Sequence, residues 1–82
     1  MKEENFEKGR FTLNNIDESS STINYLCKED GRGRWLFIKI DESSNPSSFH
    51  YASKKNNPSY EGYDQAFVDR ASLVYGNKSE AV

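Results

Sequence analysis

Cys27 and His50 are the one thiol and the one imidazole of an 82-residue chain, so a nucleophile activated by a general base is the first chemistry to test. Strand parity argues against it. Cys27 falls in step with Ile23 and Tyr25, whereas His50 alternates with Phe49 and Tyr51. If those aromatic residues share the core side, thiol and imidazole stand on opposite faces of one sheet. The expectation is an inert, buried thiol and a surface histidine. A single Cys and a single His do not make a zinc site either. Asp41, Glu42, Ser43 and Asn45 space their oxygens somewhat as a calcium loop does, but Pro46 stands where that loop needs glycine and Ala52 where it needs Glu. Asp17-Glu18 and Asp41-Glu42 are adjacent carboxylates that could serve acid–base work, but both lie in expected turns without an evident pocket. The chain is expected to be no enzyme and to need no metal or cofactor.

Two groups of residues could bind rather than react. Gly31-Arg32-Gly33-Arg34-Trp35 puts two guanidinium groups beside an indole, the pairing with which single-stranded nucleic acid is held by phosphate and by base face. Lys39, Lys54 and Lys55 would extend that surface. Tyr60 and Tyr63, before and at the start of an expected helix, and Tyr75 near its end are candidates for a protein interface, because tyrosine is large, rigid and amphipathic. Of the two, protein binding is the preferred reading. Inhibitors, immunity-type proteins and small anti-defence proteins of mobile elements share this profile of a tiny acidic, aromatic-rich domain without a catalytic cluster. A single-stranded nucleic-acid-binding dimer built on Arg32, Arg34, Trp35, Lys39, Lys54 and Lys55 is the alternative.

Composition narrows the field further. Eleven basic against thirteen acidic residues leave a net charge of −2, too weak a field for a polyphosphate-binding surface or a nucleic-acid mimic. With one cysteine there is no intrachain disulfide, which fits a reducing compartment. The first residues, Met1-Lys2-Glu3-Glu4-Asn5-Phe6-Glu7-Lys8, carry no apolar run, and the longest such run in the chain is Trp35-Leu36-Phe37-Ile38. A cytoplasmic protein without a membrane span is expected. Apolar residues make up 34% of the chain, below the roughly 45–50% of ordinary domains, so the 13% of aromatic residues must build most of the core.

The elements that position these residues come from a tandem repeat. At an offset of 24, Gly9-Arg10-Phe11-Thr12-Leu13-Asn14-Asn15-Ile16-Asp17-Glu18-Ser19-Ser20 lies over Gly33-Arg34-Trp35-Leu36-Phe37-Ile38-Lys39-Ile40-Asp41-Glu42-Ser43-Ser44. After a two-residue insertion, Asn45-Pro46, the match continues with Ile23 over Phe49 and Tyr25 over Tyr51. Each copy runs from Gly-Arg through an apolar stretch into an Asp-Glu-Ser-Ser turn and a second alternating stretch, which is a β-hairpin. The expected hairpins pair 10–17 with 21–28 and 34–41 with 47–54. Repeat one occupies 9–29 and repeat two 33–55. Asn14 and Asn15 suit an edge strand; Trp35 and Phe37 against Leu36, Ile38 and Ile40 make 34–41 apolar on both faces, hence central. From 62 to 76, Tyr63, Ala66, Phe67, Ala71 and Val74 recur on one helical face, ended by Gly76-Asn77. The fold expected is α+β: a single domain over 1–82, a four-stranded antiparallel meander of two tandem hairpins followed by one C-terminal α-helix, with flexible ends at 1–7 and 77–82. One helix covers one sheet face, so the other is expected to want a partner, most economically a second copy.

Overall fold

Asp17 and Asp41, at corresponding places in the two repeats, close the same turn in the same way. In a computed structural model describing residues 11–82, Oδ1 of each accepts the amide and hydroxyl of the serine two residues on: 2.9 and 2.7 Å from Ser19, 2.9 and 2.5 Å from Ser43. Asx turns of this kind end a strand by giving its last residue a local partner. They end β1 (Thr12–Asp17) and β3 (Trp35–Asp41), which are followed by β2 (Ile23–Glu29) and β4 (Ser48–Ser53). The four strands pair antiparallel in chain order. The meander is therefore as the sequence implies, with β1 on the edge and β2 and β3 central. The expected loose start at 1–7 lies outside the described residues.

The turn joining the repeats is tied by Asp30, which is buried. Its carboxylate accepts the amides of Arg32 and Arg34, each at 2.9 Å, and the Arg34 Nε at 2.7 Å. Gly33 takes φ 86°, a value glycine adopts without a steric penalty. Burial raises the Asp30 carboxyl, but these donors outweigh it and hold it below the usual carboxylate range.

The C-terminal third departs from a single helix. An α-helix, α1, covers only Tyr63–Val68; a 3₁₀ turn follows at Arg70–Ser72 and a second short helix, α2, at Lys78–Ala81. Tyr63, Ala66 and Phe67 pack on the core as the helical pattern requires, but Val74 is exposed and Leu73 is buried in its place. The helix stops because its continuation has better partners. Residue 76 reaches the open edge of β4, where the amides and carbonyls of Tyr51 and Gly76 bond reciprocally at 2.7 and 2.8 Å. The end is not frayed either. Asn77 and Glu80 form a capping box, Ser53 Oγ donates to the Ala81 carbonyl at 2.6 Å, and Lys55 Nζ reaches the carbonyls of Ser79 and Val82.

One face of the sheet carries the core. Cys27, Phe37 and Ala52 stand side by side on β2, β3 and β4, with Trp35 on the same side, and all are buried beneath Tyr63, Ala66 and Leu73. Aromatic rings make up most of it: Trp35 to Phe37 at 5.0 Å and Phe37 edge-on to Tyr63 at 5.4 Å between centroids.

Candidate functional site

Antiparallel register assigns every strand residue to a face, since directly paired residues point the same way. Tyr25, Lys39 and His50 are cross-strand neighbours, as are Cys27, Phe37 and Ala52, so Cys27 and His50 share the covered face. This corrects the expected opposition, and the cause is register. Asp17 pairs with Tyr25, but its counterpart Asp41 pairs with Ser48 rather than with Tyr51, the counterpart of Tyr25. A shift of three residues is odd, so it turns β4 over relative to β2. Phe49 and Tyr51 thereby leave the core side.

Sharing a face does not make a dyad. Cys27 on β2 and His50 on β4 are separated by β3, hence by two strand spacings, roughly 10 Å. The His50 ring lies 3.0 Å from Ser48 Oγ. Burial pushes the Cys27 thiol up to about 11, away from the thiolate that nucleophilic chemistry needs. Among the described residues no three His, Cys, Asp or Glu side chains gather in a metal-binding group.

A shallow, open cleft of 440 Å³ lies between the β1–β2 turn and the 3₁₀ turn, with Asp17 and Arg70 in its wall. Arg70 Nε donates to Asp17 Oδ2 at 2.6 Å, its guanidinium lies 4.1 Å from the Phe67 ring centroid, and a second N–H bonds the Phe67 carbonyl at 2.7 Å. The pair pins the C-terminal segment to the sheet edge. The Ser19 hydroxyl and amide, and then Arg70, hold the Asp17 carboxyl down to about 2. A carboxyl depressed below its unfolded value stabilises the fold above that value and stops doing so as pH falls through the folded one. Asp17→Asn is therefore expected to cost about 2 kcal/mol at pH 6 and almost nothing at pH 2, with the loss falling between pH 4 and 2. Urea titrations of both proteins across that range measure it; a gap independent of pH would remove the ionised carboxylate from the account.

The tyrosines proposed as an interface are turned inward. Tyr63 is only 9% exposed, and its hydroxyl donates to Asn15 Oδ1 at 2.5 Å; burial raises it to about 12. Tyr60 packs against the core and donates to Asp69 Oδ2 at 2.9 Å. Tyr75 donates to the Arg70 carbonyl at 2.7 Å, and burial raises its hydroxyl far above the ordinary range. Their hydroxyls serve the fold, because they tether a short helical segment that has no core of its own.

The basic set is no platform for a base. Trp35 is 1% exposed and donates its indole N–H to the Tyr60 carbonyl at 3.1 Å, so it cannot stack on a ligand. Arg34 is bound to Asp30, Lys54 to Glu61 at 2.6 Å and Lys55 to the end of the chain. Lys39 lies on the covered face, 5.0 Å above the Tyr75 ring centroid. Arg32 projects from the exposed β2–β3 turn. These groups point from a turn, a buried face and a loop rather than along one groove.

The opposite sheet face is where the structure gathers surface. Ile16, Leu26, Ile38 and Tyr51 form one row across all four strands; Ile40 with Phe49 and Leu13 with Leu36 lie to either side. Leu13, Ile16 and Phe49 are exposed, Phe49 by 54%, and the others are partly so. A bulge at Asn14 sends Leu13 there, although its repeat counterpart Phe37 is in the core. A scattered apolar residue on a surface is ordinary, whereas a contiguous apolar sheet face marks an interaction site. Sequence reasoning read Leu36, Ile38 and Ile40 as a second apolar face but put Phe49 and Tyr51 on the wrong side of β4. No helix among the described residues is long and apolar enough to cross a membrane. The chain matches no known protein family, and no curated protein or solved structure matches it significantly.

Proposed function

We propose that the protein is a non-catalytic protein-binding module that acts through the open face of its sheet, in the functional class of small inhibitors and of anti-defence or immunity-type proteins, and that it works in the cytoplasm. The observation that carries this reading is the row Ile16, Leu26, Ile38 and Tyr51, flanked by Phe49, Ile40, Leu36 and Leu13, on the face opposite α1, which among the described residues α2 meets at Ser53. Aliphatic and aromatic groups on a rigid sheet form a preorganised surface, so association need not be preceded by ordering of the chain. The inert thiol and the dispersed carboxylates support the absence of catalysis from the side of chemistry.

Ile38→Asp tests it. Ile38 lies at the centre of the row, so a carboxylate there would be buried unpaired on binding and should lower affinity at least ~100-fold. The side chain is partly exposed in the free protein, so the circular dichroism spectrum should keep its shape while the melting temperature falls by several degrees. Capture from the native host's lysate should return a stoichiometric protein with the wild type and none with Ile38→Asp, at low and at high salt alike. Equal capture by both would end the reading. Binding to a single-stranded oligonucleotide that fades steeply with salt would favour the nucleic-acid alternative instead.

A further inference from the structure

The open face is polar at its ends, and the signs of the ends differ. Lys28 stands on it near the β2–β3 turn, opposite Leu36, and at the same end the exposed Arg34 is held by Asp30 through its Nε. Glu18 and Glu42, the first residues after β1 and β3, stand at the far end and are exposed. Level with Lys28 on β3 is Leu36, six residues and about 20 Å from Glu42, and Glu18 is level with Asn24, four residues and about 14 Å from Lys28, so Lys28 pairs with neither within one chain.

We infer that the protein seated on this face is a second copy of the same chain, stacked sheet on sheet with its strands reversed. This rests on the reading of the open face as the binding surface and names its partner. A two-fold axis in the plane of the interface, perpendicular to the strands and passing at the level of Leu26, Ile38 and Tyr51, lays each apolar row over its own copy. Lys28 lies two residues from that level on one side; Glu18, one residue past Asp17 and so level with Asn24, lies two on the other. The axis therefore places Lys28 of one protomer over Asn24 of its partner, one strand spacing of about 4.8 Å from the partner's Glu18 and within reach of two long side chains, and Arg34 toward the partner's Glu42. A two-fold interface must be complementary to itself, and an apolar band with opposite charges at its ends meets that condition in one orientation only. In the reverse sense, with strands parallel, like charges would meet.

Other occupants fit less well. Residues 1–10 bring only Met1 and Phe6 as large apolar side chains, too few to cover eight apolar positions. A phosphate backbone would meet carboxylates at one end of the face. Four strands about 4.8 Å apart and six residues about 3.4 Å each give a flat footprint of roughly 400 Å² before side-chain relief, at the low end of specific interfaces. A micromolar dimer is what such an area supports, roughly 1–100 μM in Kd.

Sedimentation equilibrium on the whole chain decides it. The wild type should rise above its 9.4 kDa monomer mass by about 100 μM and approach twice that mass toward 1 mM. Lys28→Glu should weaken the dimer about tenfold at low salt, and so should Glu18→Lys. The two together should restore most of the loss, and because these residues are far apart in one chain, such rescue reports contact between chains. Ile38→Asp should sediment as a monomer while keeping its circular dichroism spectrum. A wild type that stays monomeric at 1 mM overturns the inference. If that monomer still captures a different protein through Ile38, the binding-face reading stands and only the identity of its partner falls. A dimer unaffected by Ile38→Asp overturns the inference as well, since it would then form elsewhere, and a dimer that loosens with each charge change but is not rescued by the pair overturns the reversed stacking.

Discussion

Trp35→Ala is expected to lower stability by about 3–5 kcal/mol, the range for removing a fully buried large aromatic side chain. A domain of this length has roughly 4–12 kcal/mol in all, so much of the variant should be unfolded at 37 °C. Three losses coincide at this position. The indole is the largest fully buried side chain, its ring is 5.0 Å from Phe37, and its N–H is the partner of the Tyr60 carbonyl, which would be left without one. Trp35→Phe should recover most of the packing and lack only the hydrogen bond, costing about 1–2 kcal/mol. Urea unfolding followed by far-ultraviolet circular dichroism separates the two variants. Were Trp35 a surface platform for bases, both substitutions would leave the midpoint within error.

Asn57→Asp should be nearly as damaging, about 3–5 kcal/mol at pH 8, although it changes one atom group in what reads as a polar loop. The Asn57 amide nitrogen donates to the carbonyls of Ser53 at 3.1 Å and Val74 at 3.0 Å, and its oxygen accepts the Val74 amide at 2.7 Å. The side chain thereby fastens the end of β4 to the segment that brings Gly76 to the sheet edge. A carboxylate there would face two carbonyl oxygens from a site only 5% exposed. Protonation would restore one donor, and a buried carboxyl crowded by acceptors binds its proton more tightly folded than unfolded. The sign follows: the folded variant gains stability relative to the unfolded chain as pH falls, so the penalty should shrink from pH 8 toward pH 4. Amide exchange at Tyr51, whose N–H bonds Gly76, should quicken in step with it. A pH-independent penalty, or an unchanged Tyr51 amide, would mean that Asn57 does not hold this segment.

Both residues show how unevenly the fold can be read from the chain. The strand limits were legible because each is set locally: alternation within six or seven residues, an Asp-x-Ser turn after β1 and β3, and a glycine at φ 86° between the repeats. The capping box of α2 was equally local, written as Asn77-Lys78-Ser79-Glu80, and gave a readable signal against a frayed end. The binding face was half legible. Leu36, Ile38 and Ile40 announced a second apolar side of β3, and the need for something to cover it follows from there being one layer of helix. Where the tyrosine hydroxyls go was not legible, because residue type alone does not distinguish a hydroxyl aimed at solvent from one aimed at Asn15, Asp69 or the Arg70 carbonyl.

Taken alone, the sequence determined the order of the four strands, their hairpin pairing and the central place of β3. Each of these follows from side chains acting on their own backbone or on an adjacent strand. Tertiary structure alone decided which way β4 faces, where the helix stops and which residues line the open face. Side chains alternate with a period of two, so the offset of three residues in pairing Asp41 with Ser48 exchanged Phe49 and Tyr51 for His50 and Ala52 on the core side. Such an offset is fixed by how a loop of six residues closes against a sheet already formed. The helix yielded for a similar reason: the free edge of β4 offered Gly76 two backbone hydrogen bonds that no helical period in the sequence foretells.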